Sequence, residues 1–467
     1  MKNHINKLLI IICLTFIFGN SFSQEGLNVE YKLNGFKGNI GYLASIYGSN
    51  NVTIDSAVAL NNNFIFSLDK MLEPGMYQIY FNDNLYTDII INNENVKIET
   101  SVNNIIGDMK VHKSDENRVL FDYWKFVLMI KDSIRELSVK GNKLLKKSGG
   151  KKTAELDELQ NKVDKLNNRI VEYSNALIEE NPESFVAVIL KAYQLPDYNN
   201  YLKQPEAKPY SNLKDFYEVH FFDNMDFSDS RLLRTEIIYI AINDYMKNYT
   251  KDVSTKKYIK VIDLILSKAS VNEDVYQYAI NLFVSNFGYS IWEKVYVHII
   301  ENHLLKNSNT DSTVAAFHRE RINALENINI GSPAPKLLLK DVNQKDVDFY
   351  SIKGKAKLLF YWGTGCENCE RMLPDLKDIY KKYNKMGFEI IAIAITSDED
   401  EWKHKIKKHN AKWIDLSDLK GAESEIILKY NVWLTPSLFL LDKNNKIVSR
   451  SNDMIEIQAK LVELLSQ

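Results

Sequence analysis

The chain has 467 residues, of which 45% are hydrophobic, and it carries 59 basic against 61 acidic side chains. This length allows about three domains, each with its own core. The near-neutral charge balance gives no reason to expect nucleic acid or an anionic membrane as a partner.

Residues 1–23 have the pattern of a secretory signal peptide. A basic head around Lys2 is followed by the apolar run 8–18 and by small residues up to Ser23. Cleavage near Ser23 would leave the mature chain in the periplasm or cell envelope. Cys13 lacks the small residue that usually precedes a lipoprotein cysteine, so we expect cleavage rather than a lipid anchor. No second apolar run of membrane-spanning length follows, and the mature chain is predicted to have no transmembrane segment.

Residues 24–112 consist of short alternating runs separated by Asn, Gly and Asp, which predicts an antiparallel β-sandwich. The clearest strands are 52–58, 64–66, 76–81 and 88–91. The stretch Gly-Asn-Ile-Gly-Tyr-Leu at 38–43, the Val-Thr-Ile-Asp-Ser run and the Pro-Gly-x-Tyr turn resemble a β domain of unknown function. That domain precedes thioredoxin-like domains in many secreted Bacteroidetes proteins.

Residues 113–328 change to a helical period and predict an all-α domain. A helix at 119–139 and an apolar seam with alternating spacings of three and four predict a helical hairpin. The seam consists of Leu156, Leu159, Val163, Leu166, Ile170, Tyr173 and Leu177. Further helices are predicted at 184–194, 230–249, 254–268, 272–286, 290–306 and 312–326. The seam is either ordinary core or the interface of a homodimer, and no catalytic group stands out in this domain.

A Cys-x-x-Cys pair lies where an apolar strand passes into a helix. The run 357–361 predicts a buried strand and 370–376 predicts the opening of a helix, with Cys366 and Cys369 at the junction. A thiol in the first turn of a helix faces unpaired backbone N–H groups and the positive end of the dipole, which favour the thiolate. We therefore predict that Cys366 attacks a disulfide and that Cys369 resolves the mixed disulfide.

Two other interpretations of this pair remain open. It could supply half of a zinc site, but the chain has only three cysteines, and the only histidine pairs at ligand spacing are His298/His303 and His404/His409. It could also be a structural disulfide. Once Cys13 leaves with the signal peptide, the mature chain keeps no other cysteine, which favours a catalytic pair. We expect neither a metal nor a cofactor.

Further along the chain, the dipeptide Thr435-Pro436 opens an apolar strand. With Cys-x-x-Cys upstream in a βαβ setting, it resembles the thioredoxin superfamily. The opening Gly-Ser-Pro-Ala-Pro at 331–335 resembles the entry to this domain in ResA/TlpA-type thiol-disulfide reductases and their peroxiredoxin-like relatives. The resemblance covers 329–467 and implies a thioredoxin-like α/β fold. It also implies a cis peptide before Pro436, a Thr435 backbone that holds an extended substrate, and Trp362 at the mouth of the site.

The remaining elements of this C-terminal stretch follow the same order. Strands are predicted at 388–395 and 446–450, and helices at 398–410, 423–430 and 455–465. The expected fold class is therefore multi-domain α+β, with an N-terminal antiparallel β-sandwich, an all-α middle domain and a C-terminal α/β domain.

The chain departs from the family at both of its usual proton acceptors. Thioredoxin has a buried aspartate where this chain has Phe360, and ResA-type proteins often have a glutamate where it has Met372. The nearest carboxylates are Glu367, between the cysteines, and Glu370. A carboxylate beside a thiolate raises the pKa of the thiol, which favours a reducing couple. We assign that catalytic influence to Glu367 and interpret Glu370 as a first-turn residue favoured by the dipole.

These observations predict a secreted thiol-disulfide oxidoreductase that reduces or isomerises disulfides of extracytoplasmic proteins. Its partners would be protein disulfides and an electron-donating thiol protein. One alternative is a thiol peroxidase, although the Pro-x₃-Thr/Ser pattern of peroxiredoxins is missing before Cys366. The other is a surface or partner-binding protein whose redox domain is vestigial.

Overall fold

The structure, a computed structural model, describes residues 26–251, 254–289 and 292–466. The predicted signal peptide and Cys13 lie outside these residues. The predicted fold class is confirmed: β sheets at the N-terminus, a helical middle and a thioredoxin-like α/β domain at the C-terminus. Within the described part of the chain, no helix combines the length and the apolar composition needed to cross a bilayer.

The chain divides into two compact units, of which the first ends at Tyr278 and the second begins at Ala279. The division falls inside a helix. Each unit is described below by itself.

The first unit opens with two four-stranded sheets, in the orders β4-β1-β7-β8 and β3-β2-β5-β6. The strands are β1 (Leu27–Asn34), β2 (Ile40–Tyr47), β3 (Asn50–Val58), β4 (Asn63–Leu68), β5 (Gly75–Asn82), β6 (Leu85–Ile91), β7 (Val96–Ser101) and β8 (Lys110–Lys113). Alternate side chains of both sheets enter one hydrophobic core, as in a sandwich.

One strand pair of the sandwich differs from the antiparallel prediction. β1 pairs with β7 in parallel, with Val29 opposite Val96, while every other pair in the two sheets is antiparallel among the described residues. β1 and β7 are separated by five strands in the chain, so no tight turn between them requires an antiparallel arrangement.

The helical middle begins with the predicted hairpin, which is confirmed because its two long helices pack against each other. The helices that start in the first unit are α1 (Asp115–Lys147), α2 (Ala154–Glu180), α3 (Phe185–Ala192), α4 (Tyr198–Tyr201), α5 (Leu213–His220), α6 (Ile237–Tyr249), α7 (Thr255–Ala269) and α8 (Glu273–Gly288). The short helices α4 and α5 were not predicted, and α4, with four residues, is too short to show an apolar period.

The second unit contains the end of α8, two further helices and the thioredoxin-like domain. Its other helices are α9 (Glu293–Ile299), α10 (Ser312–Asn327), α11 (Glu367–Tyr383), α12 (Glu399–His409), α13 (Glu425–Lys429) and α14 (Met454–Leu465). Its strands are β9 (Leu339–Lys340), β10 (Asp346–Val347), β11 (Ala356–Trp362), β12 (Phe388–Ala394), β13 (Ile414–Ser417), β14 (Ser437–Asp442) and β15 (Ile447–Ser449).

These seven strands form one mixed sheet in the order β10-β9-β13-β12-β11-β14-β15. The central strand β11 is buried along its whole length, because it has a strand on each side and is covered on both faces. Leu358, Phe360 and Trp362 point to one face, where they pack with side chains of α11 and α14. Tyr361 points to the other face and packs against Tyr430, which follows α13.

Candidate active site

Sheet register brings the two predicted halves of the site together. β11 runs parallel to β12 and antiparallel to β14, and Tyr361 near the end of β11 pairs with Ser437 at the start of β14. The end of one strand therefore lies beside the beginning of the other. The loops that carry Cys366 and Thr435 meet at this edge of the sheet, where α/β proteins commonly bind ligands.

Cys366 occupies the N-cap of α11. Its sulfur accepts a hydrogen bond from the backbone N–H of Cys369, at 3.1 Å, and is bonded to the sulfur of Cys369 in a disulfide. Cys366 is partly exposed, whereas Cys369 is 2% exposed. In the dithiol form, the same N–H group and the helix dipole would favour a Cys366 thiolate. The more accessible sulfur is thus the one with the better thiolate environment.

The Thr435-Pro436 peptide bond is cis, and the loop around it flanks the disulfide. The carbonyl oxygen of Thr435 lies 3.4 Å from the sulfur of Cys366. Leu434, the preceding residue, is 62% exposed. An extended polypeptide beside this loop would therefore meet the reactive sulfur and an exposed apolar side chain together.

Trp362 lies in a different place from the predicted mouth of the site. It is 3% exposed and belongs to the hydrophobic core, together with Cys369 and Leu373. The reason is strand alternation, because Trp362 shares a face of β11 with Phe360 and that face is covered by α11. Its indole N–H has no hydrogen-bond partner among the described residues. Trp362 packs in the core against the helix that carries the cysteines and presents almost no surface to a substrate.

The two glutamates of the first turn have different surroundings. Glu367 is exposed and lies next to Cys366 in sequence. Glu370 forms an ion pair with Lys405 of α12 and lies 3.9 Å from the Lys408 ammonium nitrogen. The hydrogen bond from Lys405 holds the pKa of the Glu370 carboxyl below its ordinary value. The charge of Glu370 is balanced by these lysines, and Glu367 is an exposed carboxylate that lies between the two cysteines in sequence.

Comparisons with known proteins agree with this geometry. The model of the AhpC/TSA family matches residues 330–450. Two domains of unknown function match the rest, DUF5106 at 151–328 and DUF4369 at 27–147. The thiol-disulfide oxidoreductase ResA of Bacillus cereus is 35% identical over 125 residues, which are 27% of this chain and 70% of that protein. ResA of Bacillus subtilis is 30% identical over 126 residues, or 26% and 67%.

The chain belongs to the ResA family of thiol-disulfide oxidoreductases. It is accordingly an enzyme of the thiol-disulfide oxidoreductase class. Among solved structures, the C-terminal domain of a putative thiol-disulfide oxidoreductase from Bacteroides thetaiotaomicron is 25% identical, covering 30% of this chain and 98% of that one with a TM-score of 0.29. A thioredoxin-like protein from Bacteroides caccae is 19% identical, covering 58% and 98% with a TM-score of 0.41.

Compared with the residues predicted from sequence, the ResA-like site contains a further carboxylate. Glu401, in the first turn of α12, accepts a hydrogen bond of 2.8 Å from the hydroxyl of Thr364, two residues before Cys366. Thr364 is 8% exposed. Glu401 therefore helps to hold the loop that precedes the catalytic helix. Its sequence pattern is that of an ordinary first-turn acid, so nothing in the sequence distinguished it.

Two titratable groups near this face of the sheet have shifted pKa values. Asp415 of β13 pairs with Ala392, which in turn pairs with Phe360, so its side chain is on the same face as Phe360. Burial raises the pKa of Asp415 to about 7. Burial also lowers the pKa of the His409 imidazole, whose ring centroid lies 5.4 Å from that of Trp362. Asp415 was not singled out from the sequence, and His409 was considered there only as half of a histidine pair at zinc-ligand spacing.

A cluster around Arg321 of α10 positions Asn431 and Trp433, the residues that lead into the cis-proline loop. Arg321 is 2% exposed, and its guanidinium donates to Asn431 Oδ1 at 2.9 Å and to the carbonyl oxygen of Gly288. The same group lies over the rings of Tyr296 and Trp433, 4.3 and 4.8 Å from their centroids. Arg321 thus binds residues on both sides of the domain boundary predicted near 329. An arginine in an amphipathic helix carries no sequence signal for such a role.

Proposed function

We propose that the protein is a secreted oxidoreductase that reduces or isomerises disulfides of proteins in the periplasm or cell envelope. The observation that carries the proposal is the position of the Cys366–Cys369 disulfide, at the N-cap of α11 and beside the carbonyl oxygen of Thr435. The leader-like segment at residues 1–23 supports export.

In the proposed reaction, the Cys366 thiolate attacks one sulfur of a substrate disulfide. A new S–S bond forms between Cys366 and the substrate, and the second substrate sulfur leaves as a thiolate that takes up a proton. Cys369 then loses its proton and attacks the Cys366 sulfur, which releases the first substrate sulfur as a thiol. The substrate gains two electrons and two protons, and the enzyme becomes the disulfide. A dithiol protein of lower reduction potential must then reduce the enzyme again.

The proposed direction is reduction or isomerisation, and it rests on Glu367. A negative charge on the residue that follows Cys366 opposes the helix dipole and disfavours the thiolate. Couples become oxidising when their thiolate is stabilised, so this charge favours a reducing couple. The Thr435-Pro436 loop is proposed to hold the substrate chain in an extended form against the sulfur.

The proposal can be tested by trapping substrates in cells. With Cys369→Ser the attack on the mixed disulfide is blocked, so we expect covalent complexes between Cys366 and substrate proteins in the periplasmic fraction. They should disappear on treatment with dithiothreitol and be missing in the Cys366→Ser/Cys369→Ser double variant. Absence of complexes from Cys369→Ser would contradict the oxidoreductase mechanism, and complexes confined to the cytosol would contradict the location. Rapid oxidation of Cys366 to a sulfenic acid by peroxide, with turnover, would favour the peroxidase alternative.

A further inference from the structure

A groove of about 850 Å³ lies beside the cis-proline loop. Its walls come from two parts of the second unit, the thioredoxin-like domain and the helical segment that precedes it. The residues that matter below are Trp433, Leu434, Pro436 and Phe439 from the former and Tyr289 and Glu293 from the latter. Leu434 and Pro436, which line the groove, flank Thr435, whose carbonyl oxygen lies 3.4 Å from the Cys366 sulfur. A polypeptide held at Thr435 would therefore pass close to the groove.

The groove favours an uncharged occupant. Its two charged side chains neutralise each other, since Arg450 donates to Glu293 at 2.5 Å. Asn431 donates a further hydrogen bond to Glu293, at 3.2 Å. Aromatic and aliphatic side chains supply much of the remaining wall, and Tyr289 is 50% exposed. Arg450 Nε is itself buried and has no hydrogen-bond partner within the described residues.

The backbone groups that follow Thr435 already form hydrogen bonds within the protein, so recognition of a substrate there must depend on side chains. The side chain of Asn452 donates to the carbonyl oxygen of Pro436 at 2.8 Å and accepts from the N–H of Leu438 at 3.1 Å. Ser437, between them, belongs to the strand pair with β11. A substrate chain therefore finds no free ladder of backbone groups on this strand, and its side chains have to provide the contacts.

The aromatic wall is held in place by buried polar contacts. The indole N–H of Trp433 donates to Asn431 Oδ1 at 2.7 Å, and the Trp433 ring packs edge-on against Tyr289 and Phe317. Arg321 bonds the same Asn431 oxygen and lies over the Trp433 ring. Asn431 adopts a left-handed backbone conformation, with φ of 50°, which asparagine tolerates better than most residues. The wall is thus ordered before a substrate arrives, which reduces the entropy lost on binding.

We propose that this groove is a specificity subsite that takes an uncharged apolar side chain of the substrate polypeptide, next to the target disulfide. This inference rests on the proposed function and specifies which substrate polypeptides the enzyme would prefer. In it, Tyr289 of the helical segment and Trp433 of the thioredoxin-like domain contact the substrate side chain. Arg321 and Asn431 are positioning residues that hold Trp433. The helical segment therefore takes part in substrate selection.

The test compares two synthetic peptides with the same disulfide. One has Phe at the positions that follow one of its cysteines, and the other has Ser there. The fully reduced full-length protein is mixed with each peptide, and the single-turnover reduction rate is measured after acid quenching. Burial of an aromatic side chain in the groove should make the Phe peptide react about tenfold faster at subsaturating concentration. Hydroxyethyl disulfide, which has no side chain to place in the groove, reports the thiol chemistry alone.

The variant is Tyr289→Ala, and its matched control is Tyr86→Ala. Tyr86 of β6 is 49% exposed, close to the 50% of Tyr289, and lies in the first unit. We expect the preference for the Phe peptide to fall to about threefold or less in Tyr289→Ala and to stay at its full value in Tyr86→Ala. Equal rates for the two peptides with the unmodified protein, or an unchanged preference in Tyr289→Ala, would overturn the subsite. If hydroxyethyl disulfide is not reduced either, the proposed function itself is wrong.

Discussion

The two sides of the cis-proline loop are held by different kinds of contact. On the side of Cys366, the loop is positioned by main chain, through the pairing of Tyr361 with Ser437 and the approach of the Thr435 carbonyl oxygen to the sulfur. On the opposite side, it is positioned by side chains, through Arg321, Asn431 and the ring of Trp433.

This difference has a consequence for mutation. Backbone pairing does not depend on which side chain is present, so the reactive edge should tolerate single substitutions around it. The side-chain cluster depends on one guanidinium group that donates hydrogen bonds to the Asn431 amide oxygen and the Gly288 carbonyl oxygen and lies over three aromatic rings. We expect substitutions on this second side to affect stability most, and those around the sulfurs to affect redox chemistry with little loss of stability.

Among the variants that test this difference, Arg321→Met is expected to have the largest effect on the free energy of unfolding. The change removes the guanidinium donor to the Gly288 carbonyl oxygen and one of the two donors to Asn431 Oδ1, and it takes the cation away from three aromatic rings, which should cost about 3 kcal/mol of unfolding free energy. Urea unfolding followed by tryptophan fluorescence measures it. Arg319→Met is the control, because Arg319 is an exposed residue of the same helix and should change the unfolding free energy by about 0.5 kcal/mol or less. Equal effects from the two variants would refute the role given to the cluster.

A second test concerns Asp415, on the sheet face beneath the site. Its pKa of about 7 in the folded protein lies above the value of about 4 in the unfolded chain, so the folded state keeps the proton to higher pH. Stability should therefore fall as pH rises from about 4 to 7, and the loss should persist at higher pH. Asp415→Asn cannot titrate, so its unfolding free energy relative to that of the unmodified protein should be higher at pH 8 than at pH 4.5 by about 3 kcal/mol.

The measurement is urea unfolding of both proteins at the two pH values. If the difference in unfolding free energy between Asp415→Asn and the unmodified protein is the same at both pH values, the pKa of the Asp415 carboxyl is not raised. The reduction potential is the second readout, and we expect it to be the same in both proteins at pH 7, since Asp415 touches neither sulfur in the proposed mechanism.

The smallest effect is expected from Glu367→Gln. Removing the charge beside Cys366 should favour the thiolate and shift the reduction potential upward, toward a more oxidising couple, by about 10 mV, because Glu367 is exposed and its field is screened. Equilibration with glutathione followed by thiol trapping measures the shift. Glu370→Gln should change it less, since Glu370 is paired with Lys405. A downward shift in Glu367→Gln would reverse the proposed influence of this carboxylate.

The sequence by itself determined the local chemistry. The apolar run before Cys366, the helix after Cys369 and the proline that opens β14 are each a short-range pattern, and each was found where it was expected. The long hairpin of α1 and α2 could also be predicted, because a seam sustained over several turns leaves little doubt about the period. The four-residue elements α4 and β13 could not, since four residues do not define a period.

Only the tertiary structure decided which distant side chains meet. The alternation of β11 shows that Trp362 faces one side, but not that α11 covers that side and buries the indole. Arg321 and Asn431 are 110 residues apart, and no spacing rule links them. Periodicity predicts which face of a helix is apolar, but it does not predict which element packs against that face. For this reason the strand-to-helix junction that carries the two cysteines could be predicted from the sequence, while the groove beside the cis-proline loop depends on packing between elements far apart in the chain.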